Sequence, residues 1–154
     1  MPEIYVGRSD LDPLCPTPVL FDALVEEDDL GFVFEKTLGA DDPGLSLQRT
    51  SPNWPHHLPG DLVIALTGQA GIIAMHRRGL IGPAWRGHGV RIQDARYSAP
   101  VLVGERFLTR VDIVRVRRWR ESLHTRFRFR MWKNGDGGEV ETFRSLQDAM
   151  FFPG

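Results

Sequence analysis

The chain has 154 residues, of which 42% are hydrophobic and 25% are charged, and its formal net charge is −1. This length fits one domain over residues 1–154 with a core of its own, and the balanced charge gives no global sign of nucleic-acid binding. The single cysteine, Cys15, excludes an intramolecular disulfide framework and a cysteine metal cage, and it is compatible with a cytoplasmic protein. We interpret Cys15 as structural because no histidine lies beside it, and the charged residues 1–12 predict no signal peptide.

The first part of the chain is predicted to hold a β-hairpin between two irregular segments. Residues 1–17 are rich in proline and are expected to be irregular. Two short apolar runs, at 18–25 and 31–38, predict strands, and the acidic residues 26–29 predict the turn between them. Residues 39–60 contain several prolines, glycines and aspartates and are expected to form a loop.

A long apolar segment follows and predicts a buried helix over 61–78. Its apolar residues cover every side of a helical wheel, which is typical of a helix surrounded by protein. The segment ends in His76, two arginines and Gly79, which are residues that commonly end a helix. The apolar run is too short to span a bilayer, because a spanning helix needs ~20 apolar residues.

The rest of the chain alternates between apolar and polar residues, which predicts long strands. One strand is expected at 90–97, another around 107–113, and a third around 123–132, where the alternation is clearest. The glycine-rich residues 134–138 predict a turn into a last strand from 139 to about 149. The predicted fold class is therefore α+β, with one antiparallel sheet wrapped around one long helix. Such a sheet has an exposed edge, which dimerisation can cover by extending the sheet.

Four strings of the sequence resemble, in the same order, those of the FabZ/FabA-type 3-hydroxyacyl-carrier-protein dehydratases. They are the opening strand at 18–22 (P-V-L-F-D), the helix start at 58–64 (L-P-G-D-L-V-I), the next turn at 65–70 (A-L-T-G-Q-A) and the strand and turns at 94–105 (D-A-R-Y-S-A-P-V-L-V-G-E). The last string is the most specific, because it joins a strand, a proline turn and a glycine–acid turn. The resemblance covers roughly residues 13–150 and implies a hotdog fold.

The resemblance also implies a protein that handles acyl thioesters. It implies a homodimer or higher even oligomer with two active sites at the subunit interface. The substrate would be an acyl chain carried on the phosphopantetheine of acyl carrier protein or of coenzyme A, in fatty acid or polyketide metabolism. No other cofactor is implied. From the residues themselves, His76 and His88 lack metal-ligand spacing, so we predict no metal, and the balanced charge predicts no nucleic-acid partner. Hotdog domains host dehydratases and thioesterases alike, so the reaction stays open.

The catalytic pair of these dehydratases is not matched in this chain. When Pro59-Gly60 is aligned without a gap, the catalytic histidine falls on Ser51 and the catalytic glutamate falls on Ala65. Alanine cannot transfer a proton, and dehydration needs both an acid and a base. The sequence is therefore compatible with two functions. One is an enzyme, either a diverged dehydratase or a thioesterase. The other is a non-catalytic subunit that binds acyl thioesters or acyl carrier protein and pairs with a catalytic hotdog partner.

Three polar residues near the helix start are candidates for catalysis. His57 lies three residues before Gly60 and would reach the pocket if the loop is shorter here; the alternative is a polar approach to the helix. Asp61 is a candidate base or a helix cap worth ~1 kcal/mol. Gln69 matches the glutamine of the family, where it would order water or substrate; the alternative is the structural hydrogen bonding that a buried amide requires.

Three further residues are candidates for substrate binding. Gly60 is expected to offer its backbone N–H to the thioester carbonyl at the helix N-terminus, where the missing side chain permits close approach. Trp54 is a candidate wall of the acyl pocket, or else a packing residue. Thr67 is a weaker candidate, whose alternative is a hydrogen bond back to the helix backbone.

Overall fold

The computed structural model describes residues 3–154, which form one seven-stranded antiparallel sheet and a long helix packed against it. The strands are β1 (Glu3–Gly7), β2 (Ala23–Glu27), β3 (Gly31–Thr37), β4 (Arg86–Tyr97), β5 (Arg106–Trp119), β6 (Ser122–Gly135) and β7 (Gly138–Phe152). The helices are a short α1 (Arg8–Leu11) and the long α2 (Gly60–Arg77), and the sheet order is β1-β2-β3-β5-β6-β7-β4. The predicted α+β class, with one sheet and one long helix, is confirmed.

Helix α2 begins and ends within one residue of its predicted bounds, and ten of its 18 residues are buried. The prediction that protein surrounds it on all sides is wrong for the single chain, because Asp61, Ala65 and Gly68 are exposed. These residues are spaced three or four apart and therefore share one face. Alanine and glycine count as apolar on a helical wheel but have little side chain to bury. No helix within residues 3–154 is long and apolar enough to cross a membrane.

The sheet follows from the alternation that the sequence shows most clearly in β6. Leu123, Phe127 and Phe129 are buried in the core, whereas the arginines between them point outward. One of these, Arg126, donates to Asp148 Oδ1 on β7 at 2.8 Å. The β6–β7 turn falls where it was predicted, and Gly138 has a φ of 109°, which favours glycine.

Strand β4 forms one edge of the sheet, and within the described residues it pairs with β7 alone. It begins four residues before its predicted start, and nearly all of its residues are exposed. Its exposed residues include Val90, Ile92 and Tyr97. The strand ends beside the first turn of α2, so the free edge and the helix start lie together.

The N-terminal region differs from the prediction at two points. Part of the segment expected to be irregular forms strand β1 and helix α1, and β2 begins only at Ala23 instead of residue 18. The reason for the second difference is Gln69, whose side chain bonds to this segment. Its Oε1 accepts from Leu20 N at 2.9 Å, and its Nε2 donates to Pro18 O at 2.8 Å and to Thr17 Oγ1 at 3.2 Å. Backbone bonding to β3 begins only at Asp22, whose N–H donates to Glu35 O at 2.9 Å.

Candidate functional site at the start of the long helix

A cavity of about 500 Å³ lies between the first turn of α2, the end of β4 and the middle of β7. Most of its wall is apolar, with Leu58, Val63 and Phe143 among the lining residues. The polar side chains in the wall are His57, Tyr97, Ser98 and Thr142. Gly60, the first residue of α2, also lines the cavity, so the helix N-terminus faces this space.

The first turn of α2 has backbone donors that the protein itself does not use. Pro59 precedes the helix and provides no side-chain cap. The N–H of Val63 donates to Pro59 O at 3.1 Å, and the N–H of Leu62 donates to Asp61 Oδ1 at 2.9 Å. Within residues 3–154 the N–H groups of Gly60 and Asp61 have no partner. Free N–H groups at a helix N-terminus carry partial positive charge and suit a carbonyl oxygen or an anion.

His57 is held at the cavity wall with one ring nitrogen available. Its Nδ1 lies 3.2 Å from Pro55 O. A carbonyl oxygen only accepts hydrogen bonds, so this contact requires the proton on Nδ1 and leaves Nε2 as an acceptor. The exposed Trp54 touches the histidine edge-on, with ring centroids 5.6 Å apart. The arrangement gives the cavity one side chain that can take up a proton.

The backbone around His57 is fixed by Gln48, a residue that the sequence did not single out. Gln48 Nε2 donates to His57 O at 2.7 Å, and the N–H of His57 donates to Gln48 Oε1 at 3.0 Å. On the other side, His57 forms a β-bridge with Leu102, and the N–H of Leu58 donates to Val101 O at 2.8 Å. Because the bonds come from both sides, the loop before α2 is anchored although it contains no strand or α-helix and only a short 3-10 helix, Leu45–Leu47.

Thr142 lines the cavity from a β-bulge and has a buried hydroxyl. The β6–β7 register shifts between Met131, which pairs with Phe143, and Trp132, which pairs with Glu141, so Thr142 is the extra residue of a β-bulge. The residue is 3% exposed, and within residues 3–154 its Oγ1 has no hydrogen-bond partner. A buried hydroxyl without a partner costs roughly 1–3 kcal/mol. Bulges often lie next to active sites, where they redirect a side chain.

Tyr97 lies across the cavity from His57, at the end of the edge strand β4. Its Oη donates to Gly60 O at 3.2 Å, and its ring packs against Phe143 with centroids 4.9 Å apart. Partial burial raises the pKa of Tyr97, although the residue is 56% exposed, and the nearby carboxylate of Asp61 raises it further. The phenol is therefore protonated at neutral pH and can donate a hydrogen bond.

The structure brings together some of the predicted site residues and separates others. His57 and Gly60 line the cavity, and Asp61 lies beside them on the first helical turn. Trp54 does not line it and is 63% exposed. Gln69 is bonded to residues 17–20 in the manner described above, which matches its structural alternative.

The hydroxyl of Thr67 is also occupied by hydrogen bonds outside the cavity. Its Oγ1 donates to Ile64 O at 2.9 Å and accepts from Gln147 Nε2 at 3.0 Å. The two positions where the dehydratases have catalytic residues hold nothing that transfers a proton into the cavity. Ser51 is exposed in a turn that bridges to Trp54, and Ala65 is on the open face of α2.

A second cavity, of about 370 Å³, lies near the other end of α2 and is lined by Cys15, Ile72, His76 and Trp85 among others. Burial raises the pKa of the Cys15 thiol to about 11, with a further contribution from the charge of Asp12. The thiol is therefore protonated at neutral pH, as expected for a structural cysteine. Within residues 3–154 no group of three or more histidine, cysteine or acidic side chains could hold a metal ion.

Comparison with known proteins places the fold. No protein-family model matches the chain, and no curated protein matches its sequence. The dehydratase heterocomplex ApeI:P from Xenorhabdus doucetiae matches with a TM-score of 0.67 and 15% identity, over 98% of this chain and 93% of that chain. A point mutant of the fluoroacetyl-CoA-specific thioesterase FlK matches with a TM-score of 0.61 and 15% identity, over 83% of this chain and 90% of that chain.

A third match is a hypothetical thioesterase from Streptococcus pneumoniae TIGR4, solved with coenzyme A. Its TM-score is 0.55 at 10% identity, and the match covers 84% of each chain. At identities this low the likeness concerns the fold. Together with the seven-stranded antiparallel sheet and its 18-residue helix, it shows that this chain has the hotdog fold.

Proposed function

We propose that this protein binds acyl thioesters of coenzyme A or acyl carrier protein in the cavity at the start of α2 and hydrolyses them. The observation that carries the proposal is the uncapped helix N-terminus, which opens into a largely apolar cavity. Thr142 lines the same cavity, and its buried hydroxyl has no partner among residues 3–154. An acyl chain fits the apolar wall. Its thioester carbonyl fits the free N–H groups of Gly60 and Asp61, which would polarise it.

Hydrolysis suits the residues present better than dehydration. Dehydration of a 3-hydroxyacyl thioester needs a base at C2 and an acid at the leaving hydroxyl, and the usual glutamate position is Ala65. Hydrolysis needs one base for water and donors for the oxyanion. His57 has a free Nε2 for the first role, and the helix N-terminus supplies the second.

The proposed reaction proceeds through a tetrahedral intermediate. His57 Nε2 takes a proton from water as the water oxygen bonds to the thioester carbon, and the C=O π electrons move to the carbonyl oxygen. That oxyanion is bound by the N–H groups at the helix start. The C–S bond then breaks with its electron pair leaving on sulfur, and the proton on His57 passes to the thiolate. The products are a carboxylic acid and a thiol.

A homodimer is part of the proposal. The free edge strand β4 exposes Val90, Ile92 and Tyr97, and the open face of α2 exposes Ala65 and Gly68. An exposed strand edge with apolar side chains is a site for pairing with another chain. A second copy paired along β4 would cover both surfaces and close the cavity, because Tyr97 belongs to the same strand.

The second candidate function is a non-catalytic subunit that binds acyl thioesters or acyl carrier protein. The observation that favours it is the absence of both dehydratase catalytic residues, at Ser51 and Ala65. The free helix N-terminus would bind the thioester equally in such a protein. Turnover separates the two candidates, since both predict binding.

The test offers the protein a panel of acyl-CoA thioesters of different chain length. The thiol that is released is measured with a disulfide reagent. We expect turnover that His57→Ala lowers about 10²–10⁴-fold, the usual range for loss of a general base. His56→Ala is the matched control, because its ring bonds to Gln48 O at 3.2 Å and does not line the cavity. Binding without turnover would support the non-catalytic subunit. If the protein shows no binding and no turnover, both candidates are contradicted.

A further inference from the structure

We propose that Tyr97 is a further catalytic residue, whose phenol donates a hydrogen bond to the thioester carbonyl oxygen as the tetrahedral intermediate forms. This inference rests on the proposed function and adds a side-chain donor to the backbone donors of the helix. The sequence pattern did not point to this residue, because the string in which it lies matched the dehydratases as a strand and a turn.

The position of the phenol is the first support. Tyr97 Oη lies 3.2 Å from Gly60 O, and a Cβ placed on Gly60 would lie 3.4 Å from the same oxygen of Tyr97. The hydroxyl therefore contacts Gly60, the residue whose N–H we assign to the carbonyl. Phe143 fixes the ring from the other side. A donor placed in advance at the site of developing charge is the arrangement that lowers a reaction barrier most.

The hydroxyl can turn to a ligand at little cost. Its contact with Gly60 O is the only hydrogen bond it makes within residues 3–154, and 3.2 Å is long for an O–H···O bond, which is usually about 2.7–2.8 Å. A carbonyl oxygen bound at the helix start would offer a closer and more negative acceptor. Exchange of a weak bond for a charge-assisted one favours the intermediate over the free enzyme.

The protonation state of Tyr97 suits a hydrogen-bond donor and not a group that transfers a proton. Burial and the charge of Asp61 both raise the pKa of Tyr97, so the phenol keeps its proton through the reaction. The charged side chain that acts on it is Asp61 on α2, and His57 lines the same cavity. In the balanced reaction the proton from water travels by His57 to sulfur, and Tyr97 neither gains nor loses one.

This chain differs from the dehydratase string at this point. The motif that Asp94 to Glu105 resembles has phenylalanine where Tyr97 stands. The hydroxyl is thus an addition to that pattern, in a chain whose positions for the usual acid and base are Ser51 and Ala65. A neutral donor cannot replace the missing acid and base, but it can stabilise negative charge on the thioester carbonyl oxygen. Hydrolysis builds such charge in its tetrahedral intermediate.

The kinetic test compares the only two tyrosines of the chain, Tyr97 and Tyr5. Tyr97→Phe removes the hydroxyl alone, and we expect kcat to fall about 10²–10³-fold with little change in KM, as for other lost oxyanion donors. Tyr5→Phe changes an exposed residue of β1 and should leave kcat at the wild-type level. Unchanged Tm in both variants would show that the fold is intact.

A spectroscopic test measures contact with the ligand without turnover. In Tyr5→Phe protein the tyrosinate absorbance reports Tyr97 alone, and adding Asp61→Asn should lower its apparent pKa because a carboxylate is removed. A non-hydrolysable ketone analogue of an acyl-CoA should shift the Tyr97 titration on binding. A residue that only packs against the helix would titrate alike with and without the analogue.

The outcomes separate the two proposals. Wild-type turnover that is unchanged by Tyr97→Phe overturns the role of Tyr97 and leaves the proposed function standing. An analogue that binds without altering the Tyr97 titration overturns it as well, even in the absence of turnover. A wild-type protein that neither binds the analogue nor releases thiol overturns the proposed function, and the role of Tyr97 with it.

Discussion

Gly60 offers a substitution whose effects on stability and on function should have opposite signs. Its φ is not positive, and a Cβ there would lie 3.4 Å from Tyr97 Oη and 3.5 Å from Tyr97 Cζ, which are ordinary contact distances. Alanine in place of glycine at a compatible position stabilises a protein by about 0.4–1 kcal/mol. For a domain of this size, ~1 kcal/mol raises Tm by roughly 2–4 °C. We therefore expect Gly60→Ala to raise Tm slightly.

The same methyl group should impair the site. It would contact the phenol of Tyr97 at the cavity wall, beside the N–H groups to which we assign the thioester carbonyl. The carbonyl oxygen must approach the backbone nitrogen to about 2.9 Å for a hydrogen bond. A displacement of ~1 Å from the productive geometry costs about 10²-fold in rate. We expect kcat/KM of Gly60→Ala to fall by about that factor.

The matched control is Gly68→Ala on the same helix. A Cβ on Gly68 meets nothing within 4 Å, and the residue does not line the cavity. It lies on the face of α2 that the proposed second copy would cover, so it serves as a control only if its assembly is unchanged. Thermal unfolding followed by circular dichroism gives Tm, steady-state thiol release gives kcat/KM, and sedimentation shows whether assembly is unchanged. Both variants should gain stability, but only Gly60→Ala should lose activity. Wild-type kcat/KM in Gly60→Ala would refute the placement of the carbonyl at the helix start.

Three other sets of variants test the hydrogen bonds, the ion pair and the buried hydroxyls around the site. Gln48→Ala removes both hydrogen bonds to the backbone of the cavity histidine; we expect a loss of ~1–3 kcal/mol in unfolding free energy and a lower kcat, and an unchanged kcat would contradict this positioning role. Burial alone would raise the pKa of Glu105, but hydrogen bonds from Lys133 and from a backbone N–H outweigh burial and lower this pKa. The ionised carboxylate therefore stabilises the fold at neutral pH, and this stabilisation is lost as pH falls through the pKa of the folded state. Lys133→Met should therefore flatten the acid limb of the stability–pH curve, and an unchanged slope would count against the pair. Thr142→Val and Thr109→Val each remove a buried hydroxyl that has no partner in the described part of the chain, so neither should lower Tm. Only Thr142→Val should raise KM, because only that residue lines the cavity.

The fold was predictable because its main elements carry strong local patterns. The alternation of β6 and the stop signals after α2 each determine an element without help from distant residues. The start of β2 was not predictable in this way. Residues 18–22 have strand-like side chains, but their backbone bonds to Gln69, which lies about fifty residues later in the chain. Such long-range side-chain bonds leave no periodic trace in the sequence.

The site was predictable only in part, for a similar reason. Gly60 and His57 lie near one another in sequence and next to a recognisable helix start, so spacing pointed to them. Tyr97 and Thr142 reach the cavity from β4 and from a bulge in β7. A bulge shifts the inward and outward alternation by one residue, and nothing in the local sequence marks where it occurs. The unpartnered hydroxyl could be recognised only once the surrounding atoms were placed.

The most direct test of the proposed binding mode is a crystal structure with a non-hydrolysable ketone analogue of an acyl-CoA. We expect the ketone oxygen within about 3 Å of Gly60 N, the distance of an N–H···O hydrogen bond, with the acyl chain in the cavity lined by Val63 and Phe143. An analogue bound instead in the cavity beside Cys15 and His76, at the other end of α2, would contradict the assignment of the helix N-terminus as the thioester site.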